Sequence, residues 1–155
     1  MKPGLCFRLC LAIGVLPVTV LGQKVEIQWD HDADFSQYRT FAIRQGYLNN
    51  RNPALNSDVV RQDIEDAIRQ NLAGRGMKEV AETADLNVRF SLGRANRMVA
   101  RHRDGTLVID LRDPQKRDLV WRGIAVGDRS GLSKIGRNLE GMVRKAIEKY
   151  PPKNY

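Results

Sequence analysis

From Gly105 to Ala125 the chain alternates with the period of a strand pair. Leu107, Ile109 and Leu111 fall on one face, and Thr106, Val108 and Asp110 on the other, as a pleated strand requires. Asp113-Pro114-Gln115-Lys116 then supplies turn chemistry: proline fixes φ, and the aspartate accepts from the backbone two residues on. The return strand sets Leu119, Trp121 and Gly123 against Val120, Arg122 and Ile124, so the pattern predicts an antiparallel hairpin. Val108, Val120 and Ile124 make its second face partly apolar, which places the hairpin centrally in a larger sheet. Gly123 inside a strand predicts a bulge or a close approach by another segment.

The same alternation marks Asp85 to Leu92, where Leu86, Val88, Phe90 and Leu92 oppose Asn87, Arg89 and Ser91. Gln23 to Trp29 reads as a first strand, Tyr38 to Ile43 as a second, and Met77 to Val80 as a brief one. Gln45 to Asn56 is polar and carries Asn-Pro, so it predicts a loop. The period then changes. Val60, Ile64, Ala67, Ile68 and Leu72 form a helical stripe, capped at Asn56 or Ser57, with Asp58 in the first turn and Gly74 and Gly76 past the end. Arg61, Glu65 and Arg69 lie on its outer side as i,i+4 partners. A last helix carries Ile135, Leu139, Met142, Val143, Ala146 and Ile147 on one stripe. Ser133 is its candidate cap, Tyr150 continues it, and Pro151-Pro152 stops it. Strands in runs with two amphipathic helices predict an α+β two-layer sandwich: a mostly antiparallel sheet with both helices packed on one face.

Ahead of this domain, Lys2 and Arg8 precede an uncharged run from Leu9 to Leu21. The run is short of the roughly 20 residues a spanning helix needs. Pro17 breaks it, and Val20-Leu21-Gly22 offers small residues at a cleavage site. Residues 1–22 therefore read as a secretory signal peptide, with an uncleaved anchor as the alternative, and residues 23–155 as a single α+β domain with no transmembrane span in the mature chain. Cys10 opens the apolar run and does not follow it, so the leader is not of the lipoprotein type. The only other cysteine is Cys6, which leaves the domain without a disulfide framework, thiolate nucleophile or cysteine metal site.

At 155 residues, 42% hydrophobic and 28% charged, the composition is that of a globular protein with a core. Net charge is +8, and +6 once Lys2 and Arg8 leave with the leader, which favours anionic partners. The densest positive patch lies in the connection from Gly93 to Asp104, where Arg94, Arg97, Arg101 and Arg103 form a candidate anion-binding rim. Its structural counterpart is a solvated loop that discourages edge pairing. Asp30-His31-Asp32-Ala33-Asp34 resembles the start of a calcium loop. The glycine and glutamate such a loop needs at positions six and twelve are Phe35 and Phe41, so it reads as an acidic turn with Phe35 in the core. There is no nucleophile elbow, zinc-protease helix, phosphate loop or dinucleotide fingerprint. His31 and His102 lie on different loops, and Asp110 and Asp113 flank a turn. No cofactor is implied and no catalytic or metal residues are assigned.

Several stretches together resemble the bacterial envelope family called domain of unknown function 4136. They are Asp32-x-Asp34-Phe35-Ser36-x-Tyr38-Arg39-Thr40-Phe41-Ala42, Asp85-Leu86-x-Val88, Gly105-Thr106-Leu107-Val108-Ile109-Asp110, Leu119-Val120-Trp121-Arg122-Gly123-x-Ala125 and Tyr150-Pro151-Pro152. The resemblance implies a secreted or outer-membrane-associated α+β domain with no established catalytic residues. Many members look like lipoproteins, and this chain lacks the lipobox cysteine. The expected protein is a non-catalytic periplasmic domain of the Gram-negative envelope, binding an envelope protein or an anionic lipid or glycan. Two other classes compete: a nucleic-acid-binding module using the same arginines, which would add exposed aromatics for base stacking, and a small periplasmic hydrolase.

Overall fold

The computed structural model describes residues 24–50, 52–93, 105–127 and 138–153. Among them six strands form one sheet: β1 (Lys24–Trp29), β2 (Thr40–Asn49), β3 (Lys78–Glu79), β4 (Leu86–Gly93), β5 (Thr106–Asp113) and β6 (Asp118–Val126). Their spatial order is β1-β6-β5-β4-β2-β3. The pairs β1/β6, β6/β5 and β5/β4 are antiparallel, while β4/β2 and β2/β3 are parallel. The sheet is therefore mixed. A parallel neighbour needs a crossover, and α1 (Asp58–Ala73) supplies it between β2 and β3. With α2 (Leu139–Ile147) on the same side, the architecture is the two-layer α+β sandwich that the hydrophobic pattern predicts.

The period-two residues explain how the layers meet. Register aligns Val88 with Leu111 and Trp121, and Phe90 with Ile109 and Gly123, so these positions share the face under the helices. Leu86, Val88, Leu107, Ile109, Leu111 and Trp121 are all fully buried there. The helices answer with Ile64, Ala67, Ile68 and Leu72 from α1 and Leu139, Met142, Val143, Ala146 and Ile147 from α2. Each large side chain so buried contributes about 1.5–3 kcal/mol. Ser57 caps α1, its Oγ accepting from the Val60 N–H at 3.3 Å, and Gly74 ends it.

Two aromatic rings need glycine beneath them. A Cβ on Gly123 would sit 2.4 Å from the Trp121 ring, and one on Gly46 would sit 2.2 Å from the Phe90 ring. Gly123 thus marks a close approach. The bulge lies elsewhere in β6: Leu111 faces Trp121 while Arg112 faces Leu119, leaving Val120 as the extra residue. This corrects strict alternation. Leu119 shares Arg112's side, and Val120 joins the core cluster.

A line of edge-on rings closes one end of the sandwich. Tyr38 packs on Phe35, Phe35 on Tyr150 and Tyr150 on Trp121, with centroids 6.1, 5.7 and 5.7 Å apart. Tyr150 lies beyond the last turn of α2 and is buried, so it contributes a ring to the core and does not prolong the helix.

Other expectations change. The predicted loop from Gln45 is strand as far as Asn49, because a bulge at Arg44 resets the alternation, and Pro53–Asn56 is a 3-10 turn. Arg61 pairs with Asp58 at 2.8 Å, while Glu65 pairs with Arg69, which also reaches Asp66 and Glu79. Ser133 and Ile135 lie outside the described residues.

Candidate anion-binding site

The sheet face turned away from the helices has a different chemistry. Register sets Gln45, Arg89, Asp110, Arg122 and Gln28 in one transverse row, and Ala42, Asn87 and Arg112 in the next. Asp110 stands between two arginines but serves one. Arg122 Nε and Nη2 donate to Asp110 Oδ1 and Oδ2, each at 2.7 Å, a bidentate fork in a half-buried setting. Those bonds raise the Arg122 pKa further above its ordinary value. With both carboxylate oxygens so engaged, Arg89 has no carboxylate partner among the described residues and stays exposed.

Three more guanidinium groups gather toward the hairpin end of this face. Arg112 Nη2 donates to the Arg117 carbonyl at 3.1 Å, a bond that positions the group without neutralising it. Arg117 is exposed and holds φ at 61°, the left-handed region, where the β5–β6 turn hands over to β6. Arg44, the bulged residue of β2, donates through Nε to Asn87 Oδ1 at 3.0 Å and through Nη1 to the Ala81 carbonyl at 2.8 Å. Its Nη2 reaches the Glu82 carbonyl. All of its acceptors are neutral oxygens. Beside Arg112 and Arg117 opens a pocket of about 260 Å³, lined by Asn87, Arg89, Arg112, Asp113, Pro114 and Arg117.

Asp113 is the only carboxylate in that lining, and the fold occupies both of its oxygens. Oδ1 accepts from the Gln115 and Lys116 N–H groups at 2.8 and 3.1 Å, and Oδ2 from the Tyr38 hydroxyl at 3.2 Å. Burial, and then the nearby Asp113 charge, push the Tyr38 hydroxyl up to about 12, so it is a neutral donor at any physiological pH. Just before the neighbouring strand β4, Asp85 Oδ2 accepts from the N–H groups of Arg39 and Thr40 and from Thr40 Oγ1. The Arg39 N–H is the largest cause of its carboxyl lying below the ordinary range, followed by the Thr40 bonds against an opposing cost of burial. This clamp fixes the start of β2 against β4.

The other candidates resolve structurally. Asp30 Oδ1 accepts from the Asp32 N–H, and Asp34 Oδ1 accepts from the Ser36 N–H and Oγ, so the acidic turn caps itself. Asp110 and Asp113 fall on opposite faces of β5 and do not act together. The His31 ring packs beside Trp29, with centroids 4.8 Å apart. Among the described residues no three His, Cys, Asp or Glu side chains converge as metal ligands. Arg94, Arg97, Arg101 and Arg103, with His102, lie outside the described residues. Arg89, Arg112 and Arg117 were not singled out by the sequence reading. The signal available was position: Arg89 and Arg112 are the outward residues of strands whose inward residues are apolar, and only the register shows that they are neighbours.

Fold and face together define an α+β two-layer domain with an apolar helix-covered face and an arginine-rich outer face. Over residues 25–152 the chain matches the family described as domain of unknown function (DUF4136), and it belongs to that family. A solved DUF4136 family protein from Bacteroides thetaiotaomicron shares the fold at 15% identity and TM-score 0.61, covering 83% of this chain and 96% of that one. A PDZ domain protein from Parabacteroides distasonis matches at 16% identity and TM-score 0.56, covering 84% of this chain and 36% of that one. The PelC dodecamer protein from Paraburkholderia phytofirmans matches at 12% identity and TM-score 0.52, covering 80% of this chain and 96% of that one. No curated protein matches the chain. These likenesses carry the fold. Among the described residues no helix is long and apolar enough to cross a membrane.

Proposed function

We propose that this protein is an exported, non-catalytic envelope domain that binds an anionic component through the outer face of its sheet. One observation carries the reading: Arg89, Arg112 and Arg117 line one pocket, while Asp110, beside Arg89 in the row, is forked with Arg122, and Asp113, the acidic residue of the lining, is bonded to the turn and to Tyr38. A protein stabilises such a cluster poorly on its own, since like charges repel and each guanidinium retains unused donors. An anion supplies what the fold withholds. The uncleaved sequence adds a positively charged start and a short apolar run, the pattern of an export leader.

Arg94, Arg97, Arg101 and Arg103 follow β4 directly in the chain and add to the positive charge available to such a partner. Replacing these four by glutamine should leave thermal unfolding unchanged and weaken salt-sensitive binding to vesicles containing anionic lipid, or to an acidic glycan. Export is tested by cell fractionation with an intact mass on the recovered protein. A periplasmic species beginning at Gln23 supports this reading. A full-length cytoplasmic species would contradict it and turn the arginines toward nucleic acid.

A further inference from the structure

Building on that reading of the outer face, we propose that the Arg89–Arg112–Arg117 pocket is a receptor for a phosphomonoester dianion. Charge and size both select this class. Three arginines and one acidic residue, Asp113, line the pocket, a formal excess of two positive charges by residue. A carboxylate would neutralise half of that excess, and so would a phosphodiester. A phosphomonoester carries about −1.5 to −2 at pH 7 and presents three acceptor oxygens. About 260 Å³ accommodates one such group and not a whole ligand, so the rest of the molecule would lie outside, along the sheet face.

Geometry supports the same class. Arginine forks suit phosphate oxygens because two parallel N–H donors match two oxygens. Arg112 is held in place by its bond to the Arg117 carbonyl, and Arg44 holds Asn87, whose side chain lines the pocket wall. Arg117 occupies the left-handed region at φ 61°, a conformation that costs a non-glycine residue of order 1 kcal/mol, while its side chain makes no hydrogen bond or ion pair among the described residues. Its guanidinium is therefore available to an anion in the pocket it lines. Asp110 is forked with Arg122 and Asp113 is bonded to the turn and to Tyr38, which leaves exposed Asp118, next to Arg117 in the chain, as the acidic neighbour a bound anion would have to outweigh.

Titration calorimetry with glycerol 3-phosphate on the intact protein tests the assignment. One equivalent should bind at pH 7.5, and affinity should fall about tenfold by pH 5 as the ligand takes up its second proton, whose pKa is about 6. Sulfate, dianionic throughout, should show no such fall, which separates ligand protonation from any titration of the protein. Arg89→Gln and Arg112→Gln should each lose about tenfold or more without a change in melting temperature, and Arg117→Gly should weaken binding while raising it. Vesicles containing phosphatidic acid distinguish a lipid source from a soluble one. Vesicle binding that exceeds binding of the soluble monoester and depends on Arg89 assigns a phosphorylated lipid, and the reverse order assigns a soluble phosphate ester. Equal binding of acetate, a pH-independent affinity, or full binding by Arg89→Gln would overturn the pocket. If binding is lost only when Arg94, Arg97, Arg101 and Arg103 are replaced, the pocket assignment fails while the anion-binding role of the domain stands.

Discussion

The two faces of this sheet are built from the same strands and obey opposite rules. Under the helices, Trp121, Leu111, Ile109 and Val88 are fully buried, and even the glycines are placed to let rings settle on the backbone. On the outer face the same strands present Arg89, Asp110, Arg112 and Arg122, where a single carboxylate is committed to one arginine and its neighbours are left unpaired. The first face accounts for stability. The second carries like charges that repel, and the proposed anion-binding role is what would offset that cost. Alternation along a strand keeps the two largely independent, because away from the bulges at Arg44 and Val120 successive side chains fall on opposite faces.

That independence can be broken from the inner side first. Trp121→Ala removes a fully buried ring that touches Tyr150 and overlies Gly123, and should cost about 3–5 kcal/mol in denaturant unfolding. A near-neutral result would move Trp121 out of the core and make it a binding residue. Gly123→Ala forces a methyl into the same ring, 2.4 Å away, and should cost about 1–3 kcal/mol. Combining the two substitutions sharpens the point. Once the indole is gone the added methyl has room, so the double variant should be much less than additive.

A smaller effect separates the register clamp from both faces. Because the Asp85 carboxyl ionises below its ordinary value in the folded chain, its contribution is complete above about pH 4 and is lost as pH falls through the folded value. Asp34, lowered chiefly by its bonds from Ser36, follows the same sign. Asp85→Asn should therefore flatten part of the acid-side decline in melting temperature while leaving stability near neutral pH the more reduced. A decline identical to that of the unsubstituted protein would remove Asp85 from the linkage. At the alkaline end the sign is reversed. Tyr38 is held neutral up to about 12, so the stability it supplies is full below about pH 10 and is lost between there and pH 12. Tyr38→Phe should lower stability near neutral pH and flatten the part of the decline that lies between about pH 10 and 12.

Much of the inner face was legible in the sequence because burial leaves a periodic trace. Leu86 to Leu92, Leu107 to Leu111 and the α1 stripe are each regular enough to fix element type and facing. Where the period was interrupted, the reading slipped. The bulge at Arg44 made Gln45 to Asn49 look like loop, and the bulge at Val120 put Leu119 on the wrong side of β6. The parallel β2/β4 pairing was also hidden, since the same residues would alternate in an antiparallel neighbour. The candidate site was less legible still. An arginine cluster drawn from β4, β5 and a turn has no signature along the chain, whereas Arg94, Arg97, Arg101 and Arg103 stand out because they fall within one short segment. Sequence reading finds runs of charge, and only register finds rows.

The most direct test of the division between the faces is one double variant, Arg89→Gln with Arg112→Gln, measured for both unfolding and binding of anionic vesicles. Stability should remain within about 0.5 kcal/mol of the unsubstituted protein, while salt-sensitive binding falls by at least an order of magnitude. Unfolding at much lower denaturant would show that the outer arginines hold the fold together. Retained stability with undiminished binding would show that the anion is met elsewhere on the molecule.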